Sequence, residues 1–168
     1  MKATRKEFIE KFYIINSMVL TGLEADTLAT TVNNLMALEK VNSEMNAMRE
    51  DLKKRLYKDT EEGRYKAFEE VLYKYETEKD SDKKFHYENL LKDSYSELWP
   101  IYQKQLSVIK TLYDKEVDVE ITKVSKDKFI QGILRENKLP FDAVSRTFSY
   151  MFDETKTETS ELDELLKK

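Results

Sequence analysis

The sequence has 168 residues, of which 40% are hydrophobic and 37% are charged. This is enough apolar material for one core beneath a heavily charged surface. The absence of cysteine excludes disulfides, thiolate catalysis and zinc or iron–sulfur sites built on cysteine. With only 3 Gly and 2 Pro, the chain lacks the turn residues of a β-sandwich or barrel, and long helices with short connections are favoured.

The charge of the chain limits its partners. A formal net charge of -4 argues against general affinity for nucleic acid or anionic lipid. Residues 1–10 are charged from the second position and lead into no long apolar run, so neither a signal peptide nor a transmembrane span is predicted. We therefore expect a cytoplasmic protein without a membrane partner.

Two helices are predicted in the first third of the chain. Thr4 and Glu7 have the spacing of a capping box, which begins a short amphipathic helix that Gly22 is expected to stop. Asp26 is the predicted N-cap of a second helix, in which apolar residues recur every three or four positions to about residue 57. At 1.5 Å per residue this helix is about 45 Å long, which favours packing in a helical hairpin or coiled coil.

The middle of the chain predicts helices that fold back on the second one. A break at residues 59–63 precedes a third helix that ends near residue 76. A fourth apolar run covers residues 87–113 and contains Pro100, which removes a backbone donor. A kink or a division near Trp99 is therefore expected.

Residues 117–124 are the one stretch with a two-residue period. Val117, Val119 and Ile121 alternate with polar residues, as in a half-buried strand. A lone strand leaves its backbone unpaired, so the stretch must pair with a short segment near the third helix, pack flat on the helices, or add to a sheet of another subunit. The last possibility makes these three residues candidate partner-binding residues.

The C-terminal part predicts a helical hairpin followed by a tail. A fifth helix starts at Ser125, a turn covers residues 137–140, and Phe141, Val144, Phe148 and Met151 mark a sixth helix. Residues 153–168 form an acidic segment that is predicted to be a mobile tail.

The predicted fold is mainly α: an elongated antiparallel helical bundle or coiled-coil hairpin with one short strand and a C-terminal helical hairpin. Residues 1–116 are assigned to the long-helix bundle. Residues 117–152, with the strand and the hairpin, are expected to pack as part of the same domain, ahead of the tail.

No catalytic or metal-binding residue is predicted, and no cofactor. His86 is the only histidine, with Asp82 four residues before it, and one such pair does not make a di-iron or zinc site. The adjacent pair Glu69 and Glu70 points in different directions on a helix and cannot share a proton. Because phosphate-binding loops and nucleophile motifs are also missing, the sequence indicates a protein that is not an enzyme.

Tyrosine and tryptophan are frequent between residues 65 and 113. Their helical spacing favours packing at the edge of a core, where the ring is buried and the hydroxyl reaches water. The alternative is an interface, since both residue types are enriched there. On that interpretation Trp99 and Tyr102 are candidate partner-binding residues.

The C-terminal hairpin also permits an alternative function. A helix, a short turn and a second helix with Ser145 and Arg146 have the outline of a helix-turn-helix DNA-binding regulator, with these two residues facing DNA. Arg146 is, however, the only basic residue between Phe141 and Phe152, and a recognition helix needs several polar and basic groups. A packed helical hairpin is therefore preferred.

The order of elements resembles that of small helical accessory proteins encoded beside the structural genes of tailed bacteriophages. The resemblance is carried by residues 33–40 on the long helix, by Glu44, Arg49 and Leu52 after them, and by the valine-rich residues 117–121. It implies a structural or assembly role without catalytic residues, in the host-cell cytoplasm or in the phage particle. Other protein subunits are the expected partners, in a homo- or hetero-oligomer. A small inhibitor of a host defence protein is a further alternative.

Overall fold

The computed structural model describes residues 1–152. Within this range it is mainly α-helical, as predicted, with a short two-stranded antiparallel sheet. The elements are β1 (Lys2–Thr4), α1 (Arg5–Asn16), α2 (Ala25–Leu56), α3 (Glu62–Thr77), α4 (Ser81–Ser94), α5 (Trp99–Asp114), β2 (Glu116–Asp118), α6 (Lys126–Glu136) and α7 (Phe141–Thr147), followed by a 3₁₀ turn (Ser149–Met151). The predicted tail, 153–168, lies outside the described residues.

Contacts divide the chain into two compact units. Unit 1 contains Met1–Asn42 and the segment from residue 116 onward, and unit 2 contains Ser43–Lys115. Unit 1 is therefore discontinuous in sequence, and the boundary falls inside α2. This division differs from the one drawn from the sequence, which joined residues 1–116 in one bundle, because residues 1–42 contact the segment that contains β2 and α6.

Unit 1 begins with the predicted capping box. The Thr4 side chain accepts the backbone N–H of Glu7 at 3.2 Å, and the Glu7 carboxylate accepts the backbone N–H of Thr4 at 2.8 Å. This pair starts α1, whose buried face consists of Phe8, Ile9, Phe12 and Ile15. Further buried apolar residues of the unit come from the other elements: Leu38, Val41, Phe129, Ile130, Ile133, Val144, Phe148 and Met151.

The extended stretch after α5 is held within the chain. β2 pairs with β1, with Ala3 opposite Val117. Of the alternatives for this stretch, pairing with a short segment of the same chain is therefore observed, but that segment is at the N-terminus and not near the third helix. Only Glu116–Asp118 form a regular strand. Beyond it, the side-chain amide of Asn34 donates to the carbonyl of Thr122 at 2.8 Å and accepts its N–H at 2.9 Å. The buried Asn34 side chain on α2 thus bonds both backbone groups of Thr122, as a neighbouring strand would.

A close backbone approach joins the segment after α1 to α6. A methyl group at Gly132 would lie 2.8 Å from the Gly22 carbonyl oxygen, and one at Gly22 would lie 2.3 Å from the Gly132 carbonyl oxygen. Neither position has room for a Cβ. Beside them, the Asn137 side chain bonds both the N–H and the carbonyl of Val19, at 3.0 and 2.8 Å.

Unit 2 packs around five buried residues, namely Tyr57, Phe68, Leu91, Leu98 and Tyr102. Tyr57 directly follows α2, Phe68 lies on α3 and Leu91 on α4. Leu98 directly precedes α5, and Tyr102 lies in its first part. Pro100 lies in the first turn of α5, where its missing N–H has no helical partner to lose. The expected division near Trp99 is therefore confirmed, and the fourth apolar run forms two helices.

Several predicted boundaries are wrong, each for a local reason. Helix α1 ends at Asn16, where the Ser17 hydroxyl donates to the Ile14 carbonyl at 2.8 Å, so Gly22 is a packing residue and not a helix stop. Helix α2 begins at Ala25, which puts Asp26 in its first turn instead of at the N-cap. The predicted sixth helix is shorter than expected, since it tightens into a 3₁₀ turn after Thr147.

No helix among residues 1–152 combines the length and the apolar character that crossing a membrane requires.

Candidate protein-binding groove

A groove in unit 2 runs between the last part of α2, helix α3 and helix α5. It has a volume of about 210 Å³, which is below the range of roughly 300–1,000 Å³ that is usual for small-molecule sites. Its size suits one or two side chains. It is lined by Arg49, Glu50, Lys53, Tyr57, Tyr65, Phe68, Glu69, Leu72, Glu76, Tyr102, Gln105, Leu106 and Ile109.

Aromatic rings form the base of the groove. Phe68 is fully buried, and its ring centroid lies 6.3 Å from that of Tyr57 and 6.5 Å from that of Tyr102. The rings of Tyr57 and Tyr65 are 4.7 Å apart. These contacts are within the distance range of favourable aromatic pairs, so the base is a packed part of the core.

One polar network crosses the groove from α2 to α3. The Lys53 ammonium donates to Oε1 of Glu69 at 2.5 Å, and the Tyr65 hydroxyl donates to the same oxygen at 2.9 Å. Lys53 also lies 5.3 Å from the centre of the Tyr65 ring. Both side chains of the ion pair are more than a third exposed, so its contribution to stability is modest.

The surroundings of this network shift its ionisation. Burial opposes the charged form of Glu69, but the hydrogen bonds from Lys53 and Tyr65 outweigh it and lower the pKa of the carboxyl group. The hydrogen bond to Glu69 raises the pKa of Lys53. Burial raises the pKa of Tyr65, and the hydrogen bond that its hydroxyl donates to Glu69 raises it further. At neutral pH the carboxylate is charged, the ammonium is protonated and the phenol is a donor.

The hydroxyls of the other two groove tyrosines also donate hydrogen bonds to side chains of the protein. The Tyr102 hydroxyl donates to Oε1 of Glu76 at 2.6 Å, and the Tyr57 hydroxyl donates to Oε1 of Gln105 at 3.1 Å. Burial raises the pKa of both phenols, and for Tyr102 the bond to Glu76 raises it further. These bonds fix the rings between helices, so the groove is preformed.

Apolar side chains remain accessible at the mouth of the groove. Leu106 is 43% exposed, and Leu72 and Ile109 are half-buried. Since they lie beside fixed tyrosines, the surface combines aromatic and aliphatic contact area with polar groups. Such a surface is typical of the centre of a protein interface.

Of the two aromatic residues predicted to bind a partner, Tyr102 lies in the core of unit 2 and Trp99 packs against that core. Tyr102 is buried and lines the groove. The Trp99 ring packs on Tyr75 at 5.9 Å and on Tyr102 at 5.6 Å, and it is half-buried next to the core cluster. The two rings therefore contact each other, and Trp99 packs against a residue that lines the groove.

The three candidate partner-binding residues of the extended stretch, Val117, Val119 and Ile121, belong to unit 1, whereas the residues that line the groove belong to unit 2. Val119 is buried, while Val117 and Ile121 are half-buried. The backbone of Val119 exchanges two hydrogen bonds with Met1, at 2.8 and 2.7 Å. One edge of the stretch is therefore used inside the chain.

The residues considered for DNA reading lie on α7, which has seven residues. Arg146 is exposed and donates to the carbonyl of Asp142 at 3.2 Å, and Ser145 is half-buried. Helix α7 therefore presents one basic side chain and one acidic one.

The sequence did not single out Lys53, Glu69, Glu76 or Gln105 as site residues. A weak signal was present, because Arg49 and Lys53 on α2 and Tyr57 directly after it recur every four residues. On α3, Glu69, Leu72 and Glu76 share a face through spacings of three and four residues. Polar residues in line with an apolar stripe are also common on solvated helices, so the spacing alone does not indicate a groove.

Among residues 1–152 the structure contains no cluster of three or more side chains suited to a metal ion. The chain was also compared with known proteins. No family model, curated protein or solved structure matches it.

Proposed function

We propose that the protein is a non-enzymatic interaction protein that binds another protein subunit through the groove of unit 2. The observation that carries this proposal is the preformed groove, whose fixed tyrosines lie next to the exposed Leu106. Its volume of about 210 Å³ suits side chains of a partner better than a cofactor. A rigid aromatic base limits the entropy that is lost on binding.

We further propose that the binding partner is a component of a tailed bacteriophage, and that the protein acts in the particle or in its assembly in the host cell. The support is the resemblance of residues 33–40 and 117–121 to phage accessory proteins. A groove that accepts a few side chains is consistent with a subunit that docks on a larger assembly.

Incorporation into particles tests the proposal. Tagged wild-type protein and the variant Leu106→Gln are expressed during particle production, and the protein in purified particles is quantified by mass spectrometry. Because loss of one apolar contact costs at least ~1.4 kcal/mol, a decrease of about tenfold is expected. Ser107→Gln, at the exposed neighbouring position, is the matched control and should be incorporated like the wild type.

The alternative outcomes are distinct. Wild-type protein that is absent from particles and from assembly intermediates contradicts the phage assignment. Equal incorporation of the two variants contradicts the groove as the contact. Binding of the protein to duplex DNA that is lost in Arg146→Ala would instead support the regulator alternative.

A further inference from the structure

Four donor groups inside the groove already make hydrogen bonds within the protein. The hydroxyls of Tyr57, Tyr65 and Tyr102 and the ammonium of Lys53 all donate to oxygens of the protein. In two carboxylates, those of Glu69 and Glu76, the bonds are made to Oε1. Within residues 1–152, Oε2 of each makes no hydrogen bond, so the groove offers acceptors to a partner.

The charged side chains of the groove include more carboxylates than cations. Three carboxylates, of Glu50, Glu69 and Glu76, line it with two cations, Arg49 and Lys53. Lys53 is paired with Glu69, and Glu50 is exposed. A cationic group with several donors therefore matches the groove better than an anion does.

Unit 2 already contains a site of this chemistry. The Arg64 guanidinium stacks on the Tyr95 ring, 4.4 Å from its centre, while Nε donates to Glu97 at 2.8 Å. A second nitrogen of the same guanidinium donates to the carbonyl of Ser94. In this arrangement one arginine satisfies an aromatic face and two oxygen acceptors at once.

We propose that the groove binds an arginine side chain of the partner protein, with an apolar residue of the partner packed on Leu106. This inference rests on the proposed function, in which the groove is the protein contact. Arginine is preferred to lysine because its planar group has five donors and stacks on a tyrosine ring. The open oxygens of Glu69 and Glu76 accept its N–H groups, and Leu72 lies between them on α3.

Binding of short peptides to the full-length protein tests this proposal. The probe is acetyl-Leu-Arg-Leu-amide, and the control peptide carries citrulline, which has the same shape as arginine without the charge. Methyl NMR signals of Leu106 and Ile109 report binding at the groove. We expect the arginine peptide to bind about three- to tenfold more tightly than the citrulline peptide, since a partly exposed charged hydrogen bond has a moderate effect.

Variants assign this preference to the groove. Glu76→Gln retains an acceptor for Tyr102 and should abolish most of the preference for arginine. Glu70→Gln, an exposed position next to Glu69 that does not line the groove, should leave the preference unchanged. Equal affinity for the two peptides, an unchanged preference in Glu76→Gln, or equally tight binding of a lysine peptide would overturn the proposal.

The two proposals can fail separately. If the arginine preference is absent while Leu106→Gln still lowers incorporation into particles, the arginine assignment is wrong and the groove remains the contact. If Leu106→Gln has no effect on incorporation, the proposed function fails whatever the peptides show.

Discussion

Two glycines, Gly22 and Gly132, form a close backbone contact in unit 1. Because a Cβ at Gly132 would lie 2.7–2.9 Å from atoms of Gly22 and Leu23, Gly132→Ala should force α6 away from the segment after α1. We expect it to lower the free energy of unfolding by about 1–3 kcal/mol, measured by urea denaturation. Gly63→Ala lies in the first turn of α3, where the new Cβ would make only an ordinary contact, 3.9 Å from Oε1 of Glu61. This variant should be neutral or stabilising by up to ~1 kcal/mol. Similar losses in both variants would contradict the crowding.

The ion pair of the groove predicts a pH dependence. Since the folded-state pKa of Glu69 is lowered, its stabilising contribution is present above the pKa of the unfolded chain and is lost as the pH falls through the folded value. Glu69→Gln should therefore lower the stability at pH 7 by up to ~1 kcal/mol, and this difference should disappear in acid. Denaturation curves across this pH range measure it.

The neighbouring carboxylate provides the control for this prediction. Glu70 is exposed, so Glu70→Gln should change stability little at any pH. A constant difference between the wild type and Glu69→Gln from neutral pH to acid would show that the Glu69 charge has no role in the effect.

The structural roles of some residues can be predicted from the sequence, and those of others cannot. The capping role of Thr4 and Glu7 depends on residues three positions apart and was predicted. The role of Gly22 was predicted wrongly, because its contact lies 110 residues away at Gly132. Asn34 was noticed only as part of a resemblance, since nothing near it in the sequence indicates a bond to Thr122.

At the scale of elements, hydrogen exchange should reveal how the extended stretch is held. Met1 and Val119 exchange two hydrogen bonds, and bonded pairs alternate along an antiparallel ladder. The amides of Val117 and Val119 should therefore be protected in the isolated protein, while that of Asp118 exchanges fast. Thr122 should be protected by Asn34 and lose this protection in Asn34→Ala.

Two further results complete the exchange experiment. Asn33→Ala, at the exposed neighbouring position, should keep the protection of Thr122. If the amides of Val117 and Val119 were protected only after a partner protein is added, the pairing within the chain would be contradicted and strand addition between subunits would be favoured.

Helices were predicted better than strands because their signal is local. The apolar spacing of α2 and the position of Pro100 are visible in short windows of sequence. β1 has three residues, Lys2–Thr4, which is too short for any period to appear. The pairing of β1 with β2 and the groove between α2, α3 and α5 depend on how distant helices fold back.

At the scale of the whole molecule, charge predicts weak interaction with DNA. With a net charge of -4 and one basic residue on α7, the protein should show no salt-sensitive binding to duplex DNA at about 0.15 M salt. Fluorescence anisotropy of a labelled duplex measures this. Binding that weakens steeply with salt would contradict the prediction.

The division into two units was not predictable from the periodicity of the sequence. Helix α2 reads as one continuous apolar pattern, yet its first part belongs to unit 1 and its last part to unit 2. The residues that decide this are the remote partners of its two parts, Thr122 for Asn34 and Glu69 for Lys53.

The amide of Asn34 also exposes unit 1 to chemical ageing. Asparagine is among the thermolabile residues, and spontaneous hydrolysis of its side chain produces an aspartate of almost the same size. The donor that faces the Thr122 carbonyl at 2.8 Å would then become an oxygen, so two acceptors would oppose each other. Aspartate at position 34 would therefore loosen the extended segment at Thr122, while the pairing of β2 with β1 and the apolar core remained intact.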